Sequence, residues 1–325
     1  MEKTFKQGEI IFSEGEQGDC FYDIEAGSVG IYTSYGTDAQ KELTRVESGH
    51  IIGELALIDQ RPRSATAVAL SDVTAAEVNK DDLKGYFSEK PEKITFLFSE
   101  MGERVSRLTK DISEVREALK EACPKEESGQ KPGIMDKIKK FADEYRMAKK
   151  NGAVSSESKK FAAFKEGEAG FSKQVDSYHK GEIVFKDGEK ARCMYDVQLG
   201  WVDIYSGYGT PDEKLITTIG VGSFFGEVGL LSDSERTATA VAGMEGTIIV
   251  SLVTSDFEEI YTQNPLKIVR MMEHISERVR RLTDEYLDAC ATAYRITEAE
   301  GKDVAATVNE YFTGVEKEKA DGYAV

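Results

Sequence analysis

The sequence of 325 residues contains few of the residue types on which metal sites and disulfides depend. It has three histidines and four cysteines, and no two cysteines form a CxxC pair. Cys20 and Cys193 lie in apolar strand-like segments, Cys123 and Cys290 close helical segments, and the histidines are far apart. We therefore expect reduced thiols, no metal site and no metal cofactor.

Positive charge and long hydrophobic runs are scarce as well. Lys and Arg number 42 against 59 Asp and Glu, which gives a formal net charge of -17. A protein that holds nucleic acid by its phosphates needs clustered basic residues, so this balance argues against DNA binding. No apolar run approaches the roughly 18 residues that cross a bilayer, and the opening MEKTFKQGE has no signal-peptide pattern. We expect a cytoplasmic protein that binds neither DNA nor membrane.

The sequence does contain a duplication. The segments Gly53–Ile58 and Arg63–Val68 return 173 residues later as Gly226–Leu231 and Arg236–Val241. A repeat of this length is a duplicated domain and not a solenoid unit. Both copies share a glutamate, an arginine nine positions later and small residues around each.

Two kinds of pattern flank these segments. Before each glutamate, short β-branched and aromatic runs alternate with glycine turns, which is typical of an antiparallel β-roll or jelly roll. After each arginine, apolar residues fall three or four apart, which predicts a long amphipathic helix. The predicted fold class is α+β, with two antiparallel β-rolls that are each followed by a long α-helix. The two apolar stripes are Leu97, Met101, Val105, Leu108, Ile112, Val115 and Leu119, and Ile268, Met272, Ile275, Val279, Leu282, Tyr286 and Cys290.

The repeat sets the predicted domain boundaries at 1–121 for the first roll with its helix and 171–300 for the second. Residues 301–325 form a C-terminal tail, which we expect to be disordered from Val315 onward. Between the domains, 122–170 is a linker with a polar Pro/Gly segment over 124–133. The linker also contains an amphipathic helix with nearby lysines. Its face suits packing on a neighbouring domain, and attraction to an anionic surface is the alternative. That face consists of Ile134, Ile138, Phe141 and Tyr145.

The duplicated glutamate and arginine predict a site for a sugar phosphate. A guanidinium donates two parallel charge-assisted hydrogen bonds to phosphate oxygens, and small neighbours let backbone amides approach. A carboxylate beside a phosphate faces a neutral donor such as a sugar hydroxyl, and the two groups together imply a nucleotide. The glycine before each glutamate permits a backbone shape that a Cβ would forbid, and the next residues form one helical turn. The candidate ligand-binding residues are Gly53, Glu54, Leu55, Ala56, Arg63, Ser64 and Ala65, and Gly226, Glu227, Val228, Gly229, Arg236, Thr237 and Ala238.

On these motifs the sequence resembles the cyclic nucleotide-binding domain family. Gly53–Ile58 with Arg61–Ala67 looks like that family's phosphate-binding cassette, and Gly226–Ala240 looks like a second cassette. The spacing is similar to that of the tandem regulatory subunits of cyclic-nucleotide-dependent kinases, and the first Arg-Ser-Ala is similar to the bacterial catabolite activator. The resemblance implies cyclic AMP or cyclic GMP as the ligand and no other cofactor. It implies that arginine holds the cyclic phosphate and glutamate the ribose 2′-hydroxyl, through Arg63 with Glu54 and Arg236 with Glu227.

The second cassette departs from the family pattern. Gly229 stands where alanine is more frequent, and Glu235 replaces the proline before Arg236, which adds a negative charge and predicts weaker binding. A hydroxyl residue follows each arginine, Ser64 in the first cassette and Thr237 in the second. This hydroxyl is similar to that of family members that bind cyclic GMP, although serine also occurs in cyclic AMP binders. We favour cyclic AMP for the first cassette and leave cyclic GMP open for the second.

In the family a residue on the following helix covers the base. By position the candidates lie around Thr109–Ile112 and Thr283–Tyr286. Tyr286 is the best candidate for stacking on a base, and because it also lies on the apolar stripe, core packing is the alternative.

The predicted function is that of a non-catalytic sensor, in which nucleotide binding moves the long helices and signals to an unknown protein effector. The stripes favour a homodimer through these helices, or else they cover the rolls. We find no kinase glycine loop, cyclase carboxylate pair or nucleophile elbow, and we predict no enzymatic activity. The alternatives are a scaffold with degenerate sites and a cyclic AMP-dependent transcription regulator of the catabolite activator type. Neither 120–170 nor 295–325 offers the helix-turn-helix that such a regulator needs.

Overall fold

The computed structural model of the chain describes residues 1–38, 40–122, 133–150, 174–231, 234–298 and 304–320. The predicted polar linker segment over 124–133 lies outside these residues, apart from Gly133. Contacts divide the chain into two compact units. The first unit contains Met1–Lys93 and the described part of Lys139–Ser158, and the second contains the described parts of Ile94–Ile138 and Lys159–Val325.

The first repeat forms eight strands with helices after them, as its alternating apolar runs and glycine turns predict. Gly27, with φ +89°, makes the tight turn between the third and fourth strands. The strands are β1 (Glu2–Phe5), β2 (Ile10–Phe12), β3 (Cys20–Ala26), β4 (Ser28–Thr33), β5 (Lys41–Glu47), β6 (Ile51–Ile52), β7 (Thr66–Ala69) and β8 (Val73–Asn79). The helices are α1 (Glu54–Asp59), which lies between β6 and β7, then α2 (Leu83–Glu89), α3 (Glu92–Ala122) and α4 (Ile134–Lys150).

The second repeat forms the same series. The strands are β9 (Gln174–Tyr178), β10 (Ile183–Phe185), β11 (Met194–Leu199), β12 (Trp201–Ser206), β13 (Lys214–Gly220), β14 (Phe224–Phe225), β15 (Thr239–Ala242) and β16 (Thr247–Leu252). The helices are α5 (Glu227–Leu231), which lies between β14 and β15, then α6 (Phe257–Gln263), α7 (Pro265–Glu298) and α8 (Val304–Ala320).

Each roll consists of two four-stranded sheets in which every strand pair is antiparallel. The strand orders are β1-β8-β3-β6 and β2-β7-β4-β5 in the first roll, and β14-β11-β16-β9 and β10-β15-β12-β13 in the second. The rolls share one topology, because β9 to β16 take the places of β1 to β8. The predicted α+β fold with two antiparallel rolls is confirmed.

Apolar side chains from both sheets fill each roll, and the long helices present their apolar stripes to neighbours. In the first roll Ile24, Val29 and Ala67 are fully buried, and in the second Val197 and Val202 take equivalent places. On α3 and α7 every residue of the predicted stripes is buried except Leu108 and Tyr286, which are half-buried. The predicted helices are therefore confirmed. No described helix is long and apolar enough to cross a membrane.

The division into units differs from the predicted boundaries at the helix that follows the first roll. The prediction keeps this helix with its own roll through residue 121, whereas the structure groups Ile94–Ile138 with the second repeat. Within the second unit, Phe98 on α3 lies 4.7 Å from Phe257 on α6 between ring centroids. A hydrophobic stripe predicts that one face of α3 is buried, and the structure supplies the partner of that face. Where each domain ends as a folding unit stays a prediction.

The C-terminal tail corrects the sequence prediction. The sequence predicts disorder from Val315 onward, but α8 runs to Ala320. Val308 and Tyr311 lie about one helical turn apart and are both buried, at 2% and 5% exposure. Their burial stabilises α8, although the charged residues after Val315 give no sign of a helix.

Within the second unit, α3 also contacts the cassette helix α5. A Cβ on Gly102 would clash with Leu231 of α5, so the two helices approach closely at a glycine. Farther along α3, Arg116 donates from Nη2 to Glu285 on α7 at 3.1 Å and from Nε to the hydroxyl of Tyr311 on α8 at 3.0 Å. A helix that follows the first cassette in the chain therefore touches the second cassette.

Candidate functional site

In the first cassette, Arg63 is buried and bonds to the backbone that begins α1. Its Nη1 donates to the carbonyl oxygen of Gly53 at 2.6 Å, and its Nη2 donates to Sγ of Cys20 at 3.5 Å. Its Nε is buried with no hydrogen-bond partner. An unpaired buried donor is costly, and a charged acceptor would relieve that cost. The guanidinium therefore has donor capacity left for an anion.

The second cassette repeats this arrangement. Arg236 is buried, and its Nη1 donates to the carbonyl oxygen of Gly226. Its Nη2 donates to the carbonyl oxygen of Cys193 at 2.6 Å. In both cassettes the structure thus joins the predicted arginine to the glycine that precedes the predicted glutamate.

Aromatic rings lie beside both arginines, and sequence reasoning missed them. Cζ of Arg63 lies 4.4 Å from the ring centroid of Phe12, and Cζ of Arg236 lies 4.2 Å from that of Phe185. A guanidinium over an aromatic face gains a cation–π attraction. Tyr195 adds a second ring beside Arg236, at 5.3 Å. The two phenylalanines occupy equivalent positions in the two repeats, so a comparison of the repeats could have identified them.

Each cassette helix begins at a glycine with a left-handed backbone. Gly53 has φ +80° and Gly226 has φ +70°, a region that residues with a Cβ rarely adopt. A Cβ on Gly226 would also lie 2.6 Å from Nη1 of Arg236. The glycine therefore provides both the turn and the room for the arginine.

These two roles of Gly226 can be separated by substitution. Gly209 has φ +76°, and a methyl group there would meet no atom within 4 Å, so Gly209→Ala introduces backbone strain alone, about 1 kcal/mol. Gly226→Ala adds the clash with Arg236, and we expect a further loss of about 1–3 kcal/mol. Trp201 is the single tryptophan and lies in the second unit, so its fluorescence during urea unfolding reports both variants. Equal losses would show that Arg236 moves aside at no cost.

The two predicted glutamates begin the cassette helices and differ in burial. Glu227 is 1% exposed, and its Oε1 accepts a hydrogen bond from Nη1 of Arg278 at 2.8 Å. Its Oε2 is buried with no hydrogen-bond partner. Glu54 begins α1 and is half-buried. The second cassette therefore holds a buried acceptor that a neutral hydroxyl would satisfy.

Charges around Glu227 keep it ionised. Burial is the largest single influence and raises the pKa of Glu227, but the charges of Arg278 and His274 together with hydrogen bonds to the carboxylate outweigh burial, and the pKa lies below its usual range. The same surroundings favour the neutral form of His274, because burial lowers the pKa of its imidazole despite the neighbouring Glu227 carboxylate. Arg278 and Arg281 lower the pKa of His274 further.

Because the pKa of His274 is lowered, we expect the second unit to lose stability in mild acid. The pKa of His274 in the folded chain lies below its ordinary value of 6.5, so the unfolded chain binds more protons as the pH falls below about 6.5. The urea midpoint reported by tryptophan fluorescence should therefore fall between neutral pH and the folded-state pKa. His274→Gln, which does not titrate, should flatten that slope. His179 has the opposite sign because Glu245 raises its pKa, and its contribution cancels in the comparison. Parallel slopes for wild type and variant would contradict the assignment.

Gly229 stands where the family more often has alanine, and a second difference between the two repeats compensates for it. A Cβ on Gly229 would lie 2.6 Å from the Cβ of Ala191, whereas in the first cassette a Cβ on Gly18 would clash with Ala56. Gly18 and Ala191 are repeat equivalents, as are Ala56 and Gly229. Each cassette thus has one alanine and one glycine at this contact, and the two residue types are exchanged between the cassettes. Gly229 therefore preserves the packing. Glu235, the other departure, is exposed, so solvent screens its charge.

The remaining predicted residues occupy two kinds of position. Ser64 and Thr237 are exposed beside the buried arginines, and Tyr286 is half-buried on α7. The roles of these residues, including that of Tyr286 as a base cap, stay predictions. Leu55, Ala56, Ala65, Gly229 and Ala238 are buried, and Val228 is half-buried.

A buried aspartate on the third strand of each roll, paired with a lysine at the start of the following long helix, is a second feature that sequence reasoning missed. Asp23 on β3 is 2% exposed and accepts hydrogen bonds from Lys93 at 2.7 Å and Lys90 at 3.0 Å. Burial raises the pKa of Asp23, but the two lysines and a tyrosine hydroxyl outweigh burial, and the net pKa is lowered. In the second repeat Asp196 pairs with Lys267 at 2.8 Å. These ion pairs tie each roll to the first residues of α3 and α7.

Among the described residues, no group of three or more His, Cys, Asp and Glu side chains is arranged to hold a metal ion. Cys20, Cys193 and Cys290 are free thiols, and Cys123 lies outside the described residues.

Comparison with known proteins assigns the family. The model of the cyclic nucleotide-binding domain matches residues 2–90 and 175–264, which together make up more than half of the chain. The chain belongs to the cyclic nucleotide-binding domain family and contains two copies of that domain.

Three similar proteins illustrate the range of relatives. The cAMP-dependent protein kinase regulatory subunit of Debaryomyces hansenii is 26% identical over 261 residues, which cover 79% of this chain and 44% of that protein. The CRP-like cAMP-activated global transcriptional regulator of Mycobacterium tuberculosis is 28% identical over 111 residues, which cover 34% of this chain and 50% of that protein. The solved structure of cAMP-bound PfPKA-R is 21% identical, covers 87% of this chain and 80% of that chain, and has a TM-score of 0.32. The chain spans about half the length of the curated relatives it matches.

Proposed function

We propose that this chain is a non-catalytic sensor that binds one cyclic nucleotide in each cassette. The observation that supports the proposal best is the twofold occurrence of a buried arginine bonded to the glycine that begins a glutamate-led helical turn. Arginine would hold the cyclic phosphate and glutamate the ribose 2′-hydroxyl, through Arg63 with Glu54 and Arg236 with Glu227.

The hydrogen-bonding capacity of both groups supports these roles. Nη1 of Arg63 donates to a neutral carbonyl oxygen, and its Nε has no partner. A phosphate oxygen carries charge and accepts a stronger hydrogen bond than a carbonyl does. Oε2 of Glu227 is buried without a donor, which a hydroxyl group supplies. Binding by these groups makes and breaks no covalent bond, so the proposed function needs no catalytic residue.

The choice of base is part of the proposal. The curated relatives named above are cyclic AMP-dependent or cyclic AMP-activated proteins, and we propose cyclic AMP for the first cassette. In the second cassette the exposed Thr237 hydroxyl lies beside Arg236 in the chain and keeps cyclic GMP as the second candidate.

The output of the sensor is proposed to be a movement of the long helices that a partner protein recognises. The close approach of Gly102 on α3 to Leu231 on α5 gives the second cassette a direct contact with α3. A nucleotide that binds more tightly when α5 is in one position would favour that position and the position of α3 that goes with it. The equilibrium between the two positions can change only by the difference between the nucleotide's affinities for them. We place this signalling in the cytoplasm, with a protein effector and without DNA.

Titration calorimetry of the whole chain tests the ligand class. We expect two equivalents of cyclic nucleotide per chain, with much weaker binding of the non-cyclic 5′-AMP as the control. Thr237→Ala should lower the affinity for cyclic GMP and leave cyclic AMP unchanged if the hydroxyl contacts guanine. The absence of saturable heat with both cyclic nucleotides would refute the proposal. A nucleotide-dependent gel shift of duplex DNA would instead support the transcription regulator.

A further inference from the structure

Two arginines of α7 lie near the buried carboxylate of Glu227 in the second cassette. Arg278 donates from Nη1 to Oε1 of Glu227 at 2.8 Å. Arg281 follows three residues later, so its side chain lies on the same face of the helix as that of Arg278. Burial and the positive charge of Arg278 lower the pKa of Arg281. Oε2 of Glu227 has no hydrogen-bond partner, so the carboxylate is bonded to Arg278 and not to Arg281.

Arg281 has hydrogen-bonding capacity left over. Its side chain is half-buried, and its Nε is buried with no hydrogen-bond partner. The acidic side chains one turn away on α7 do not supply that partner, because Glu285 accepts from Arg116 at 3.1 Å and Glu277 is exposed. A buried donor without an acceptor is costly, and a ligand atom can relieve that cost. A guanidinium only donates, so the ligand atom must be an acceptor.

The covalent structure of a cyclic nucleotide places the base near Arg281. In the proposed arrangement the phosphate lies at Arg236 and the ribose 2′-hydroxyl at Glu227. The base is attached to the ribose carbon next to the one that bears this hydroxyl, so it lies beside the Glu227 carboxylate. Arg278 brings α7 against the same carboxylate. Arg281, about one turn from Arg278, is therefore within reach of an edge of the base.

We propose, resting on the proposed function of the second cassette, that Arg281 reads the base there and selects cyclic GMP. Guanine presents two neighbouring acceptors, O6 and N7, which match two parallel donors of a guanidinium. Adenine presents N7 beside an amino group that is itself a donor, so the same arginine gains at most one hydrogen bond. Thr237 would contact the 2-amino group on a different edge of guanine, so the two contacts are separate.

The matching arginine of the first repeat has different surroundings. The long helices correspond at an offset of 174, so Arg107 on α3 matches Arg281 on α7. Arg107 is exposed, whereas Arg281 is half-buried. An exposed guanidinium is hydrated, and a ligand that bonds to it exchanges one hydrogen bond for another with little net gain. We therefore expect this selectivity in the second cassette and not in the first.

Calorimetric titration of the whole chain with Arg63→Ala isolates the second cassette, and this variant is the parent for the test. Adding Arg281→Ala should lower the affinity for cyclic GMP at least about tenfold and the affinity for cyclic AMP by a smaller factor. Adding Arg281→Lys, which keeps the charge without the planar fork, should also lose most of the preference. Arg107→Ala is the matched control and should bind both nucleotides as the parent does.

An analogue of cyclic GMP gives a second readout. In 7-deaza-cyclic GMP a carbon replaces N7, so one of the two acceptors is missing. This analogue should bind the parent more weakly than cyclic GMP does, and the difference should vanish when Arg281→Ala is added. Retained binding of cyclic AMP by the Arg281 variants would show that they remain folded.

Two results would overturn the proposal while leaving the proposed function in place. The first is unchanged affinity for cyclic GMP after Arg281→Ala. The second is an equal loss for cyclic GMP and cyclic AMP, which would place Arg281 at the phosphate or sugar that both ligands share. Absence of binding of either nucleotide to the wild type would instead refute the proposed function, and the role of Arg281 with it.

Discussion

Replacing Arg63 by lysine should lower the affinity of the first cassette for cyclic AMP by about a hundredfold. Lysine keeps the positive charge but loses the planar fork that donates two parallel hydrogen bonds to a phosphate. A hydrogen bond to a charged group contributes about 1.5–3 kcal/mol, so the loss of one such bond and its geometry costs about 3 kcal/mol. Since each 1.4 kcal/mol is about tenfold in affinity, the cassette falls from a strong to a weak site.

Calorimetry can measure this change within one molecule. In Arg63→Lys the number of strong sites per chain should fall from two to one, while the affinity of the second cassette stays unchanged and serves as an internal control. Arg45→Lys, which changes an exposed arginine on β5 of the same roll and outside the cassette, is the matched control and should keep both sites. Two strong sites in Arg63→Lys would show that Arg63 does not hold the phosphate.

Replacing Glu227 by alanine should destabilise the second unit by about 3 kcal/mol or more. Its carboxylate is buried against Arg278, at 2.8 Å, and the removal of one partner of a buried ion pair leaves the other charge without compensation. The lowered pKa of Glu227 gives the sign of the acid dependence. The stabilisation is fully present above the ordinary glutamate pKa and is lost as the pH falls through the lower folded-state value.

The comparison of single and double variants isolates the pair. Glu227→Ala with Arg278→Ala should recover part of the lost stability, because no unpaired charge remains. Glu245→Ala removes the carboxylate of an exposed pair with His179 in the same unit and should leave the unfolding midpoint nearly unchanged. Tryptophan fluorescence in urea measures all three. A loss for Glu227→Ala no larger than that for Glu245→Ala would contradict the buried pair.

Most of the fold could be predicted because the duplication displays every element twice. The same turn glycines and apolar runs predict both rolls, and the three- and four-residue spacing predicts α3 and α7. The packing partner of α3 could not be predicted, since a stripe shows that a face is buried and not what covers it. The contact between Phe98 and Phe257 depends on the path of the chain in space.

The candidate site was predictable in its charged residues and less so in their surroundings. Arg236 and Glu227 are conspicuous because both charges recur at one spacing. The ion pair of Glu227 with Arg278 joins residues 51 positions apart, and it depends on how α7 lies over the cassette. The exchange of Gly18 and Ala56 for Ala191 and Gly229 becomes visible only when both cassettes are compared in three dimensions.

The central claim is that two cassettes each bind a cyclic nucleotide through one arginine. Calorimetric titration of cyclic AMP and cyclic GMP into the wild type and into the double variant Arg63→Ala with Arg236→Ala tests that claim most directly. We expect two equivalents for the wild type and no strong site for the double variant, with the variant still folded by circular dichroism. Saturable binding at wild-type affinity in the double variant would contradict the account.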